Sequence, residues 1–188
     1  MFEELLIRLA ESLHRRGLPY MIIGGQAVLL YGEPRLTRDI DITLGVDVDR
    51  FEEVASLTHE LGLVPLPPDP LKFSRETMVL PTQEKTTGIR VDFIFSYSSY
   101  ESQAIQRARQ ILMGQQKVSF ASPEDVVVHK IIAGRPRDLE DIRTILLKYP
   151  PMDSRYIRQW LRELSSALDG EDFEKIYSEL EEEVPKGV

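Results

Sequence analysis

Apolar positions along the chain switch between two spacings. Phe2, Leu5, Leu6, Leu9 and Leu13 recur every three or four residues, which predicts an amphipathic helix over 2–16 that stops at Gly17. "PYMII" then reads as a short buried strand, and residues 26–31 as a short helix behind the turn Gly24-Gly25. In "DIDITL", residues 39–44, the spacing drops to two. Ile40 and Ile42 lie on one face, Asp39 and Asp41 on the other. Asp47 is placed to cap a helix over 48–62. The prolines of "VPLPPDPLKF" argue against regular structure there. "TMVLP" and "IRVDFIF" read as two strands joined by the polar turn "TQEKTTG".

Beyond residue 99 the spacing is mostly helical. A helix is expected over 100–112, followed by the short strand "KVSFA". In "SPEDVVVHKIIAG", Ser122 is the N-cap, Pro123 the first helical residue, and Asp125 stands three after the cap. "PRDLEDIRTILLKY" is another helix, and residues 153–183 read as two more. There are no internal repeats. The expected fold is α+β: a small mixed β-sheet flanked by helices over residues 1–121, with a helical C-terminal region over 122–188 packed on it.

Composition changes this picture little. Apolar residues are 42% and charged residues 29% of 188, an ordinary globular balance. No apolar run is long enough for a membrane span, and the N-terminal helix carries acids, unlike a signal peptide. With no cysteine, thiol catalysis and cysteine-ligated zinc are excluded; a cytoplasmic protein is expected. The net charge of −8 is concentrated at the end, where the last 21 residues hold eight acids and two bases. The nearly neutral body leaves room for a nucleic-acid partner.

The aspartate pair needs an explanation. Residues i and i+2 of a strand point the same way, about 6.6 Å apart. Two carboxylates at that distance repel by about 2–3 kcal/mol at an effective dielectric near 20. A divalent cation offsets that cost, because hard metals take carboxylate oxygens. Asp92, between Val91 and Phe93 in "IRVDFIF", adds a third carboxylate if the two strands are neighbours. Gly24-Gly25 opens a helix after an apolar strand, where free N–H groups suit a phosphate. An edge strand with solvated aspartates is the plainer alternative. Phosphate-loop, dinucleotide, zinc-protease and serine-hydrolase motifs are absent. His14, His59 and His129 lack metal-ligand spacing.

Ile23-Gly24-Gly25, thirteen intervening residues and Asp39-Ile40-Asp41-Ile42, with Val91-Asp92-Phe93 later, resemble the motifs of the DNA polymerase beta-type nucleotidyltransferase superfamily. The second motif glycine is often serine elsewhere in it. "RLTRDIDI" and "EDVVVHKIIAGRPRDLEDI" are similar to segments of the minimal, abortive-infection (AbiEii-like) branch. The resemblance covers residues 20–145. It implies a nucleotidyltransferase core over 1–121 that moves a nucleotide from a nucleoside triphosphate to an acceptor hydroxyl on an RNA end, a protein or a small molecule. Asp39, Asp41 and Asp92 would hold Mg²⁺ and be catalytic with Lys130. Gly24, Gly25, Arg38 and Lys130 would bind the nucleotide, and Asp138 and Asp141 would orient Lys130 or the second substrate. A solvated helix pair bridged by Arg135, Arg137 and Arg143 is the alternative for those two acids. A toxin or antitoxin partner and a phage-defence role are implied for the branch. The rival function is a non-catalytic, antitoxin-like partner-binding module on the same fold.

Overall fold

The computed structural model describes residues 1–96, 98–168 and 171–184, and it divides into two compact units. Residues 1–26 and 36–121 form the first; residues 27–35 and 122–188 form the second, whose last four residues lie outside the described ones.

The first unit is a seven-stranded mixed sheet with helices. In chain order come α1 (Phe2–Arg15), β1 (Tyr20–Ile23), the start of α2 (Gly24–Tyr31), β2 (Asp39–Leu44), α3 (Phe51–Glu60), β3 (Leu63–Pro65), α4 (Pro70–Thr77), β4 (Val79–Glu84), β5 (Arg90–Phe95), α5 (Ser99–Gln106), β6 (Arg109–Met113) and β7 (Gln116–Phe120). The strand order is β3-β4-β5-β2-β1-β7-β6, with β2/β5 and β1/β7 parallel and the other pairs antiparallel. This is the expected α+β architecture.

One face of the sheet forms the core. Ile40, Ile42, Val91 and Phe93 are fully buried. Phe51 of α3 meets Phe95 of β5 at 6.4 Å, and His14 of α1 meets Tyr20 of β1 at 5.5 Å, so both helices cover that face. Burying one isoleucine contributes roughly 1.5–3 kcal/mol. Ile40 and Ile42 together therefore outweigh the repulsion between Asp39 and Asp41, and "DIDITL" forms a strand despite its acids.

Three expectations are corrected. The helix expected over 100–112 stops at Gln106, and Arg109–Met113 pairs with Gln116–Phe120 around Gly114, whose φ is 58°. Such two-residue turns favour glycine at positive φ, and β7 gains a second partner where Ile22 faces Phe120. "VPLPPDPLKF" is irregular only over residues 66–69: it begins with the end of β3 and closes with the start of α4. Pro65 sits on an edge strand, Pro70 in the first turn of α4, and Asp69 accepts from the Lys72 N–H at 3.0 Å. The turn "TQEKTTG" is shorter, because Thr82–Glu84 continue β4. Buried Glu84 accepts from Arg8 at 2.6 Å, which makes a strand position tolerable for an acid.

The second unit is helical: most of α2, α6 (Pro123–Ala133), α7 (Pro136–Lys148), α8 (Ser154–Ala167) and α9 (Phe173–Glu183). Ser122 caps α6 as the sequence predicts, accepting from the Asp125 N–H at 3.2 Å and donating to Asp125 Oδ2 at 2.6 Å. Gly134, at φ 61°, ends α6.

Candidate functional site

The parallel pairing of β2 with β5 sets Asp41 opposite Asp92 and Asp39 opposite Arg90. Adjacent strands lie about 4.8 Å apart, so these four side chains occupy one square on the sheet face away from the core. Three carboxylates and one guanidinium share it. Ile23 of β1 stands opposite Asp41, which brings Gly24 alongside.

Each carboxylate is held by a different partner. A Cβ added at Gly24 would meet Asp41 Oδ2 at 2.0 Å, so the acid lies directly against the glycine backbone. The φ of 63° at Gly24 also favours glycine. Thr37 Oγ1 donates to Asp39 Oδ1 at 3.1 Å, and the Gln26 amide reaches the Asp39 carbonyl at 3.4 Å, a weak bond. Arg90 Nε donates to Asp92 Oδ1 at 2.7 Å. That bond, followed by the negative field of Asp92, Asp39 and Asp41, holds the guanidinium above its ordinary pKa. The Asp92 side chain is 16% exposed and that of Arg90 51%. Gly25 is buried in the first turn of α2, and Arg38 is exposed.

In the second unit Lys130, Asp138 and Asp141 are all nearly buried. Lys130 Nζ lies 2.7 Å from both Asp138 Oδ1 and Asp141 Oδ2. Arg135 Nε donates to Asp138 Oδ2 at 2.6 Å. Arg35 binds Asp141 through two parallel bonds of 2.9 Å. The sequence pointed to Arg135 as a partner of these acids but not to Arg35, which is 106 residues from Asp141. No local spacing announces such a pair. Arg143 binds Glu183 instead.

A family model described as a nucleotidyltransferase of unknown function (DUF6036) matches residues 3–184. The chain belongs to this nucleotidyltransferase family. Similar solved structures share the fold at low identity. The antibiotic-resistance factor ANT(2'')-Ia is 17% identical with a TM-score of 0.62, over 89% of this chain and 94% of that one. An antigenic nucleotidyltransferase-like protein from Paracoccidioides brasiliensis is 18% identical with a TM-score of 0.60, over 98% and 94%. The nucleotidyltransferase toxin MenT4 from Mycobacterium tuberculosis H37Rv is 13% identical with a TM-score of 0.53, over 89% and 65%. No curated protein sequence matches the chain. No helix among the described residues is long and apolar enough to cross a membrane.

The carboxylates of this nucleotidyltransferase fit a hard divalent cation by donor chemistry: three oxygen-bearing side chains at neighbouring strand positions. Among the described residues no three acids or histidines already form a metal cage. Asp39, Asp41 and Asp92 are turned onto Thr37, Gly24 and Arg90 respectively.

The buried acid Asp138 has a pH consequence. Burial pushes its pKa up, but hydrogen bonds from Arg135 and Lys130 and their charges outweigh it, and the net shift is downward. A depressed folded pKa stabilises the protein above the unfolded value, near 3.9, and that contribution disappears as pH falls below it. The melting temperature should therefore fall more steeply below about pH 4 in the wild type than in Asp138→Asn. Parallel melting curves between pH 3 and 7 check this; equal slopes would refute it.

Proposed function

We propose that this nucleotidyltransferase moves a nucleoside monophosphate from a nucleoside triphosphate to an acceptor hydroxyl, with Mg²⁺ as cofactor. The reading rests on one observation above all: Asp39, Asp41 and Asp92 occupy adjoining positions on one sheet face, with Gly24 against Asp41. Asp39, Asp41 and Asp92 would hold the metal, which supplies charge neutralisation on the α-phosphate and the leaving group. Gly24 and Gly25 would present the first N–H groups of α2 to phosphate oxygens. Asp92 takes the proton of the acceptor hydroxyl. The acceptor oxygen then bonds to the α-phosphorus, the bond to the β-phosphate bridge breaks, and pyrophosphate leaves. Most of the rate enhancement in such a site comes from positioning and fixed charge. Arg38 is assigned to the triphosphate as an exposed cation beside Asp39. Lys130 is assigned to the nucleotide, with Asp138 and Asp141 orienting its amine.

The acceptor is a hydroxyl of a small molecule, an RNA end or a protein. ANT(2'')-Ia has been solved with adenylyl-2''-tobramycin, and the lincosamide adenylyltransferase LnuA with lincomycin, which supports a small-molecule acceptor. The likeness to MenT4, described as a nucleotidyltransferase toxin, supports a toxin-related role; the abortive-infection branch, a cognate partner and work in the cytoplasm belong to the same proposal.

The test is incubation with Mg²⁺, each α-³²P-labelled nucleoside triphosphate, and a pool of tRNA, cell protein and aminoglycosides. Label should pass to one acceptor class and fall by about 10²-fold or more in Asp39→Ala/Asp41→Ala. Neither transfer nor Mg²⁺-dependent nucleotide binding in the wild type would refute the enzyme reading and favour the partner-binding module.

A further inference from the structure

Arg90 is the residue of this site that the sequence motifs leave unexplained. It precedes Asp92 by two positions on β5, so both side chains rise from the same face, and it stands opposite Asp39 across the parallel pair. Its Nε donates to Asp92 Oδ1 at 2.7 Å. The two partners differ in freedom: about half of the Arg90 side chain is exposed, whereas Asp92 is largely covered. The cation is therefore the partner that can swing into water at little desolvation cost. Asp41 is set against the Gly24 backbone, and Asp39 accepts from the Thr37 hydroxyl.

We propose that Arg90 is a positioning residue that holds Asp92 and competes with the divalent cation for its Oδ1 oxygen. The inference rests on the reading of the three aspartates as a metal site. An oxygen that accepts a 2.7 Å bond from a guanidinium has no free lone pair in that direction, and two cations at one carboxylate repel. A metal that ligates Asp92 through this oxygen must displace the arginine. Until then Arg90 offsets part of the repulsion among three neighbouring acids. Removal of the guanidinium should therefore make the Asp92 limb of the site fill more readily.

The probe is Mn²⁺ alone, titrated into the full chain without nucleotide and followed by the electron paramagnetic resonance signal of free Mn²⁺. Arg90→Gln should bind about tenfold tighter than wild type, the scale of one charge-assisted hydrogen bond. Lys85→Gln removes an equal charge from the exposed turn before β5, and should tighten binding less than about twofold. Arg90→Lys keeps the charge but not the planar fork, and should fall between them. Melting curves give an independent readout. Without metal Arg90→Gln should melt below wild type, and added Mg²⁺ should raise its midpoint by more.

If Arg90→Gln binds Mn²⁺ no tighter than wild type, or no tighter than Lys85→Gln, the competition is refuted. Loss of Mn²⁺ binding in Asp39→Ala/Asp41→Ala would leave the metal reading standing in that case. If wild type and the double variant both fail to bind, the metal reading itself falls and takes this inference with it. Should Arg90→Gln not fold, Arg90→Lys carries the comparison.

Discussion

Gly24→Ala is expected to lower nucleotidyl transfer by about 10²-fold or more and to destabilise the protein by about 3 kcal/mol. Two costs combine. At φ 63° any L side chain meets its own backbone, for about 1–2 kcal/mol. The new Cβ would also lie 2.0 Å from Asp41 Oδ2, 3.0 Å from Cγ and 3.3 Å from Cβ, so a small rotation of the carboxylate cannot relieve the overlap. Either Asp41 leaves its place or the start of α2 moves, and an error near 1 Å at a reacting centre costs about 10²-fold in rate. Gly62 separates the two costs. Its φ is 71°, but a Cβ there meets nothing within 4 Å, so Gly62→Ala should cost about 1 kcal/mol and leave activity unchanged. Adding Asp41→Ala to Gly24→Ala should restore part of the stability and none of the activity. Thermal melts and single-turnover transfer rates test both. A Gly24→Ala protein as active as Gly62→Ala would refute the argument.

The second large effect belongs to the helical unit. Lys130→Met should destabilise by about 3–5 kcal/mol, because Asp138 and Asp141 are nearly buried and each loses one partner. Arg35 and Arg135 remain, which places the expected cost near the lower bound. The exposed pair of Arg143 with Glu183 is the contrast, and Arg143→Ala should cost under about 1 kcal/mol. Adding Asp138→Asn and Asp141→Asn to Lys130→Met should recover much of the loss, since no buried charge then lacks a counterion. Urea unfolding measures all three. A Lys130→Met loss under about 1 kcal/mol would refute the buried-network account. Transfer assays on folded Lys130→Met test its catalytic role separately: a drop beyond the unfolded fraction supports a part in nucleotide binding, and full activity leaves Lys130 with a structural role alone.

Local pattern carried some features further than others. The spacing of two in "DIDITL" and "IRVDFIF" placed the acids on one face and Ile40, Ile42, Val91 and Phe93 on the other, because strand pleating depends only on the backbone. The Ser122-Pro123-Asp125 cap was legible for the same reason: its hydrogen bonds close within four residues. The hairpin around Gly114 was not. Residues 107–112 suit a helix locally, and the pairing of β6 with β7 and of β7 with β1 overrides that preference.

By itself the sequence determined which residues carry charge, which strand face each takes, and which glycines stand where α2 begins. Only the tertiary structure decided who stands beside whom. The pairing of β2 with β5 set Asp92 beside Asp41 and Arg90 beside Asp39, across some fifty residues of chain. Arg35 reached Asp141 over twice that separation. Such contacts follow from the packing of whole elements, in which the burial of apolar faces outweighs the pair energies of the charges they carry. A charged residue's partner is therefore set by the core beneath it, and the neighbouring residues along the chain do not announce it.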